Sequence, residues 1–464
     1  MTGTGTPGLR CLSPIDGSLV AERSALTPDE AAGRIARARK AQPGWSRVPL
    51  IERIRRVRAG VALLGEMNDD VVPELAMQMG RPIRYGGEFG GVSERANAMA
   101  DMAETALAPI EIEDSDSFRR YILREPHGAV LVIAPWNYPY MTAINSVAPA
   151  LIAGNAVVLK MATQTLLAGE RLADAFHRAG IPEDIFLNLA LDHATTARLI
   201  RERSFGYVNF TGSVEAGRVI ETAAAGTFTG VGLELGGKDP GYVMEDADLP
   251  VAADVLMDGA LFNSGQCCCG IERIYVADTV HDEFVERAVD IARSHVLGNP
   301  LQPETTLGPM AQPRFAETVR RQVAEAVRAG AKALVDSGEF PADDGNAYLA
   351  PQVLVDADHS MRIMREESFG PVVCIVRVGS DKEAIELMND SDYGLTASLW
   401  TVDLERAEKI GGEVETGTVF MNRCDYLDPW LCWTGRKDTG RGGALSVIGY
   451  HNLTRPKSCH LKKG

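Results

Sequence analysis

The sequence predicts an α/β protein whose parallel sheets are covered by helices on both faces. Three observations predict it. Short runs rich in Val, Ile and Leu recur along the chain: AVLVIAP (129–135), NAVVLK (155–160), YVNFTGS (207–213), GVGLELGG (230–237) and PVVCIVRV (371–378). Apolar runs of this length suit strands buried on both sides, as in parallel sheets. Helix-like segments alternate with them, which is the pattern of crossover connections.

The helices carry their own start signals. LTPDEAAGRIARARKA (26–41) opens with Thr27, then Pro28 at the first helical position, then Glu30 three residues after Thr27, the pattern of a capping box. SDKEAIELMN (380–389) repeats the device with Ser380 and Glu383. PIEIEDSDSFRRYILREPH (109–127) differs: it is polar with scattered β-formers and reads as an exposed hairpin or arm interrupting the first α/β unit. The tail GYHNLTRPKSCHLKKG (449–464) suits a strand docking on a partner.

Composition narrows the function. The chain has 464 residues, enough for two or three domains. A net charge of −16 disfavours nucleic acid as a partner. The start MTGTGTPGLRCLSP has no basic segment followed by an apolar run, so no signal peptide is expected. GAVLVIAPW (128–136), the most continuous apolar stretch, is too short to span a bilayer. A cytoplasmic protein with free thiols follows.

Three adjacent cysteines, Cys267, Cys268 and Cys269, stand in FNSGQCCCG (262–270). Adjacent cysteines rarely meet disulfide geometry, and zinc ligands normally come as spaced pairs, so no metal is expected. The alternatives are three small buried hydrophobes or a reactive thiolate.

Four other segments bear chemistry in the same open way. In IAPWNYPY (133–140), Pro135 and Pro139 bracket Asn137 at a strand exit, where its amide can donate to an oxyanion or simply close its own turn. Lys160 ends a strand, where α/β sheets place ligands and where many lysines are merely superficial. Gly212 and Ser213 precede a helix, a setting that suits a pyrophosphate, although the G-x-G-x-x-G fingerprint is absent. Glu234, among apolar neighbours before Gly236 and Gly237, suits a general base of raised pKa or a carboxylate paired with a cation.

Taken together, PWN, FTGS, LELGGK, GQCCCG and EESFGPV (366–372) stand in an order and spacing that resembles the NAD(P)-dependent aldehyde dehydrogenase superfamily. SPIDG (13–17), RARKAQPGW (37–45), YGLTASLW (393–400) and GTVFMN (417–422) extend the resemblance over nearly the whole chain. From Glu234 to Cys268 is 268 − 234 = 34 residues, the interval expected between that family's base and its nucleophile.

The resemblance implies an aldehyde dehydrogenase-like fold with two parallel-sheet α/β domains and a small β arm. Residues 1–108 and 127–236 would bind the cofactor, 237–440 would carry the nucleophile, and 109–126 with 441–464 would form the arm and tail of a homodimer or homotetramer. Cys268 would be the nucleophile, Glu234 the base for the hydrolytic water and Asn137 the oxyanion donor. Ile133, Trp136, Lys160, Thr163, Gly212, Ser213, Leu235, Glu367 and Phe369 would meet NAD(P). Tyr138, Thr142, Asn145, Tyr426, Trp430 and Trp433 would line the aldehyde channel.

Three departures from the family pattern bear on specificity. Thr163 stands where many NAD-using members carry a Glu that repels a 2′-phosphate, so NADP should be tolerated or preferred. FLNLALDHATTARLI (186–200) lacks the usual glycines. RCDYLDPWLCWTGRKDTGRG (423–442) brings three aromatics to the substrate mouth, which favours aromatic or medium to long aliphatic aldehydes. Arg423 offers an alternative, an anchor for the carboxylate of a semialdehyde, or else an ion pair with Asp425 or Asp428. A CoA-acylating enzyme of similar fold is a further alternative, disfavoured by the presence of Glu234.

Overall fold

The computed structural model describes residues 8–464. Two sheets organise them. A six-stranded sheet runs in the order Gly440–Arg441, Gly230–Glu234, Tyr207–Thr211, Ala129–Ala134, Ala156–Met161, Phe186–Asn188, parallel except at its first edge. Every residue of Ala129–Ala134 and Ala156–Met161 is buried, as parallel strands covered on both faces require. A seven-stranded sheet runs Lys332–Ala333, Gln352–Val355, Val372–Val378, Ile271–Ala277, Asp239–Val243, Thr396–Trp400, Thr418–Met421, again parallel but for one edge.

The segment at 109–127 folds as the antiparallel pair Ile110–Asp114 and Phe118–Pro126, and the tail strand Thr454–Lys462 completes a three-stranded sheet with it. The tail therefore pairs with the arm of its own chain. Only its last part is a strand, because Ser446–Asn452 is a short helix. No helix among the described residues is long and apolar enough to cross a membrane.

Thr27 and Glu30 form the reciprocal capping box expected of them on helix Pro28–Ser46. Ser380 caps helix Asp381–Asn389, but Glu383 turns to the Gly379 N–H instead of that of Ser380, so this cap is one-sided.

Strand register brings the chemistry to one edge. Ile133 stands opposite Lys160 and Phe210, and Thr211 opposite Glu234. Asn137, Lys160, Ser213 and Glu234 thus leave neighbouring strands at their carboxyl ends, the side on which open α/β sheets hold ligands.

Candidate active site

The cysteine run sits between helix Leu249–Leu261 and strand Ile271–Ala277, on a loop with left-handed backbone at Asn263, Ser264 and Gly265. At Gly265 (φ 68°) a Cβ would stand 2.2 Å from the Gly370 carbonyl oxygen, so only glycine fits. Gln266 ties the turn down, donating to the Asn263 carbonyl (3.0 Å) and accepting from the Ala311 N–H (2.8 Å).

The three sulfur atoms lie within 4.8 Å of one another. Cys267 and Cys269 are buried and share Asp425 Oδ1 as acceptor, at 3.1 and 2.9 Å. Cys268 alone is not fully buried. With their single S–H groups committed to Asp425, Cys267 and Cys269 are held away from reaction, and Cys268 is left facing the opening. Cys268 is therefore the thiol of the run placed to act as a nucleophile.

Cys268 opens on a cavity of about 360 Å³ that Glu234 also lines. Glu234 ends its strand and accepts a hydrogen bond from Thr211 Oγ1 (3.4 Å). Burial lifts its pKa to about 7, against downward pulls from Arg95 and Thr211. A carboxylate poised there suits proton abstraction at neutral pH.

Asn137 is buried and its Nδ2 donates to the Gln266 carbonyl (3.1 Å), which holds it on the cysteine loop. Two residues that sequence reasoning missed position it. Arg81 donates to the Asn137 carbonyl and pairs with Glu88 (2.8 Å), an ion pair closed to solvent. Glu88 also accepts from the N–H groups of Tyr140 and Met141, satisfying the start of helix Pro139–Ile152.

Tyr138, Thr142, Asn145, Tyr426 and Trp433 all line the cavity. Trp430 does not: it is 60% exposed and outside the cavity, because its loop turns back through Pro429 to meet Ser446. Arg423 is exposed, outside the cavity, and pairs with neither Asp425 nor Asp428; its guanidinium stacks on the Tyr426 ring at 3.8 Å. Neither residue serves the channel as expected.

The cofactor candidates gather along the sheet edge and across from it. Trp136 stacks on Phe315 at 5.4 Å and meets Phe369 edge-on at 5.5 Å. Glu367 Oε1 accepts from the Gly237 N–H (3.0 Å), and a Cβ at Gly236 would lie 2.4 Å from its Oε2. Beneath it, the buried pair Lys238–Glu272 fixes the loop, since Glu272 accepts from the N–H groups of Ser368 and Phe369 (2.8 and 2.9 Å). Removing one partner of a buried pair strands the other. Lys238→Met should therefore destabilise the fold by about 3–5 kcal/mol, measurable by denaturant unfolding.

A dinucleotide fits what is present. Lys160 is 4% exposed and burial draws its pKa down to about 8, with Asp192 pulling the other way. A buried ammonium without an ion pair is costly, and a ribose or phosphate oxygen would relieve it. Ser213 caps helix Val214–Ala224 through the Ala216 N–H, leaving earlier N–H groups of that turn for an anion. Ile133 and Leu235 are buried beside these groups and Gly212 is half-buried. Thr163 begins a single 3₁₀ turn, half-buried. In the glycine-free segment, Asp192 caps helix His193–Arg201.

The aldehyde dehydrogenase family profile matches residues 2–459. The chain is similar to an aldehyde dehydrogenase of Paenarthrobacter nicotinovorans, 35% identical over 96% of this chain and 98% of that protein. It is also similar to the succinate-semialdehyde dehydrogenase [NADP(+)] of Deinococcus radiodurans, 33% identical over 96% and 93%. A solved NAD-dependent aldehyde dehydrogenase from Sinorhizobium meliloti superposes with a TM-score of 0.93 at 32% identity, covering 99% of this chain and 92% of that one.

Proposed function

Because the chain belongs to the aldehyde dehydrogenase family, we propose that it oxidises an aldehyde to a free carboxylic acid with NAD(P), through a thioester on Cys268. The observation that carries this reading is the shared cavity of Cys268 and Glu234. The Cys268 thiolate attacks the carbonyl carbon, the C–S bond forms and the carbonyl π electrons move to oxygen. That oxyanion is met by the Asn137 amide and the Cys268 backbone N–H. A bound nicotinamide supplies the acceptor for the hydride that the carbon gives up, leaving a thioester. Water then attacks the thioester, Glu234 takes its proton, and the C–S bond breaks to return the thiolate.

Lys160, Ser213, Trp136, Glu367 and Phe369 hold the dinucleotide in this reading, along the sheet edge where they stand. Thr163 adds no negative charge beside the ribose, so NADP is accepted. Thr163→Glu should cut kcat/KM with NADP about 100-fold relative to NAD, since a like charge facing the 2′-phosphate costs several kcal/mol. The comparison is made by following reduced nicotinamide with each cofactor.

Residues 1–108 with 127–236 serve as the cofactor unit and 237–440 as the catalytic unit. The arm, with Ile110, Ile112 and Leu461 exposed, packs against a second subunit.

The reading is tested by assaying products with and without CoA. Free acid formed at the same rate in both supports it; an acyl-CoA product whose formation depends on CoA would overturn it.

A further inference from the structure

One buried cation in the cavity has no part in these steps. Arg95 lies on helix Phe89–Leu107, on the face that also brings Gly91 and Glu94 to the cavity. Its Nη1 donates to the Met141 carbonyl (3.2 Å) and to Asn145 Oδ1 (3.3 Å). Among the described residues, Nε and Nη2 make no hydrogen bond and no carboxylate lies within ion-pair distance.

In each of the other buried arginines, Arg53, Arg81 and Arg273, Nε and at least one terminal nitrogen are hydrogen-bonded. Arg53 donates from Nε to the Ile152 carbonyl and from Nη1 to that of Ser46. Arg81 uses all three nitrogens, on Asn263, Glu88 and Asn137. Arg273 does the same on the carbonyls of Lys238, Leu387 and Met388. Among the described buried arginines, Arg95 alone leaves both Nε and Nη2 without a hydrogen bond, and it lines the cavity that holds Cys268.

Glu88, Glu234 and the cysteine run attract the Arg95 charge from a distance, but no acid around the cavity makes an ion pair with it among the described residues. Glu88 is committed to Arg81 and to two backbone N–H groups. Glu94 is exposed and accepts from the Tyr426 hydroxyl (2.5 Å). Burial pushes the Asp258 and Asp425 carboxyls towards their neutral forms. A guanidinium keeps its charge in any of these settings.

We infer that Arg95 anchors a negatively charged substrate tail, so that the cavity selects aldehydes carrying a carboxylate at the far end. The inference rests on the aldehyde-oxidising reading of Cys268 and Glu234. The free Nε–Nη2 edge offers two parallel N–H donors that match the two oxygens of a carboxylate. Met141 and Asn145 hold the guanidinium plane in place, and the buried setting strengthens the contact. Tyr138, Leu427 and Trp433 supply an apolar wall for the carbon chain. The semialdehyde anchor is then Arg95 and not Arg423.

A competing role for Arg95 is purely electrostatic, since its charge also acts on Cys268 and Glu234. That role would affect every aldehyde equally. The test therefore compares wild type, Arg95→Met and Arg95→Lys on matched pairs of four to six carbons, such as succinic semialdehyde against butanal. Wild type should prefer the carboxylated member. Arg95→Met should lose about 10- to 100-fold more in kcat/KM on it than on butanal, with Lys restoring part of the difference. In parallel, succinate and glutarate are titrated calorimetrically into Cys268→Ala protein with and without Arg95→Met. Dicarboxylate binding that disappears with Arg95 supports the anchor even if no aldehyde turns over, in which case only the reaction reading fails. Equal losses on both aldehydes, no preference in wild type, or dicarboxylate binding indifferent to Arg95 would each overturn the inference.

Discussion

Cys268→Ala is expected to abolish aldehyde oxidation, lowering kcat by on the order of 10⁴-fold or more, because the other two thiols at the cavity, Cys267 and Cys269, are buried and turned to Asp425. Cys267→Ala and Cys269→Ala should keep most activity. Their thiols are buried against Asp425 and donate to its carboxyl oxygen. Steady-state rates of the three variants with one aldehyde and saturating cofactor decide the point. Comparable losses in all three would mean that the cluster acts as a unit, and the assignment of Cys268 would fall.

Glu234→Gln should separate the two half-reactions. Gln cannot accept a proton from water, so the thioester forms and then persists. A burst of one reduced nicotinamide per active site should be followed by turnover slowed about 10²- to 10⁴-fold. The pH dependence has a defined sign. Burial lifts the Glu234 pKa to about 7, and only its ionised form takes the water proton. In wild type the hydrolytic step should therefore rise as pH climbs through about 7 and level off above it. In Glu234→Gln that inflection should vanish. Rapid-quench and stopped-flow measurements across pH 5.5 to 9 read both effects.

Much of this site was legible in the sequence, because its parts sit at strand exits, where a short motif fixes backbone and side chain together. PWN, FTGS, LELGG and GQCCCG each mark the end of one element and the start of the next, so register alone brings them to one edge. What escaped depends on packing between distant segments. Arg81 and Glu88 hold Asn137 from 56 and 49 residues away, and no local pattern announces such a pair. Asp425 reaches the cysteines through a left-handed backbone that its sequence neighbours do not signal.

Arg95 did leave a trace. Val92, Ala96, Met99 and Ala103 form an apolar stripe on its helix, and Arg95 falls within it. A charge on a buried stripe asks for a partner. The loop at 423–442 misled for the opposite reason. Its aromatics share a sequence neighbourhood, yet Trp433 is buried in the cavity wall while Trp430, three residues earlier, faces water. Aromatic content gives the composition of a loop and leaves its path open. The second capping motif is a smaller case: Ser380 and Glu383 have the right spacing, but the carboxylate accepts from the Gly379 N–H instead.

The central claim is a covalent acyl intermediate on the middle cysteine. Its most direct test is peptide mass spectrometry of Glu234→Gln protein quenched after one turnover with aldehyde and NADP. The account predicts an added acyl group on the peptide containing residues 267–269, lost when Cys268→Ala is introduced and retained with Cys267→Ala or Cys269→Ala. Reduced nicotinamide formed with no acyl adduct, or an adduct that survives Cys268→Ala, would contradict it.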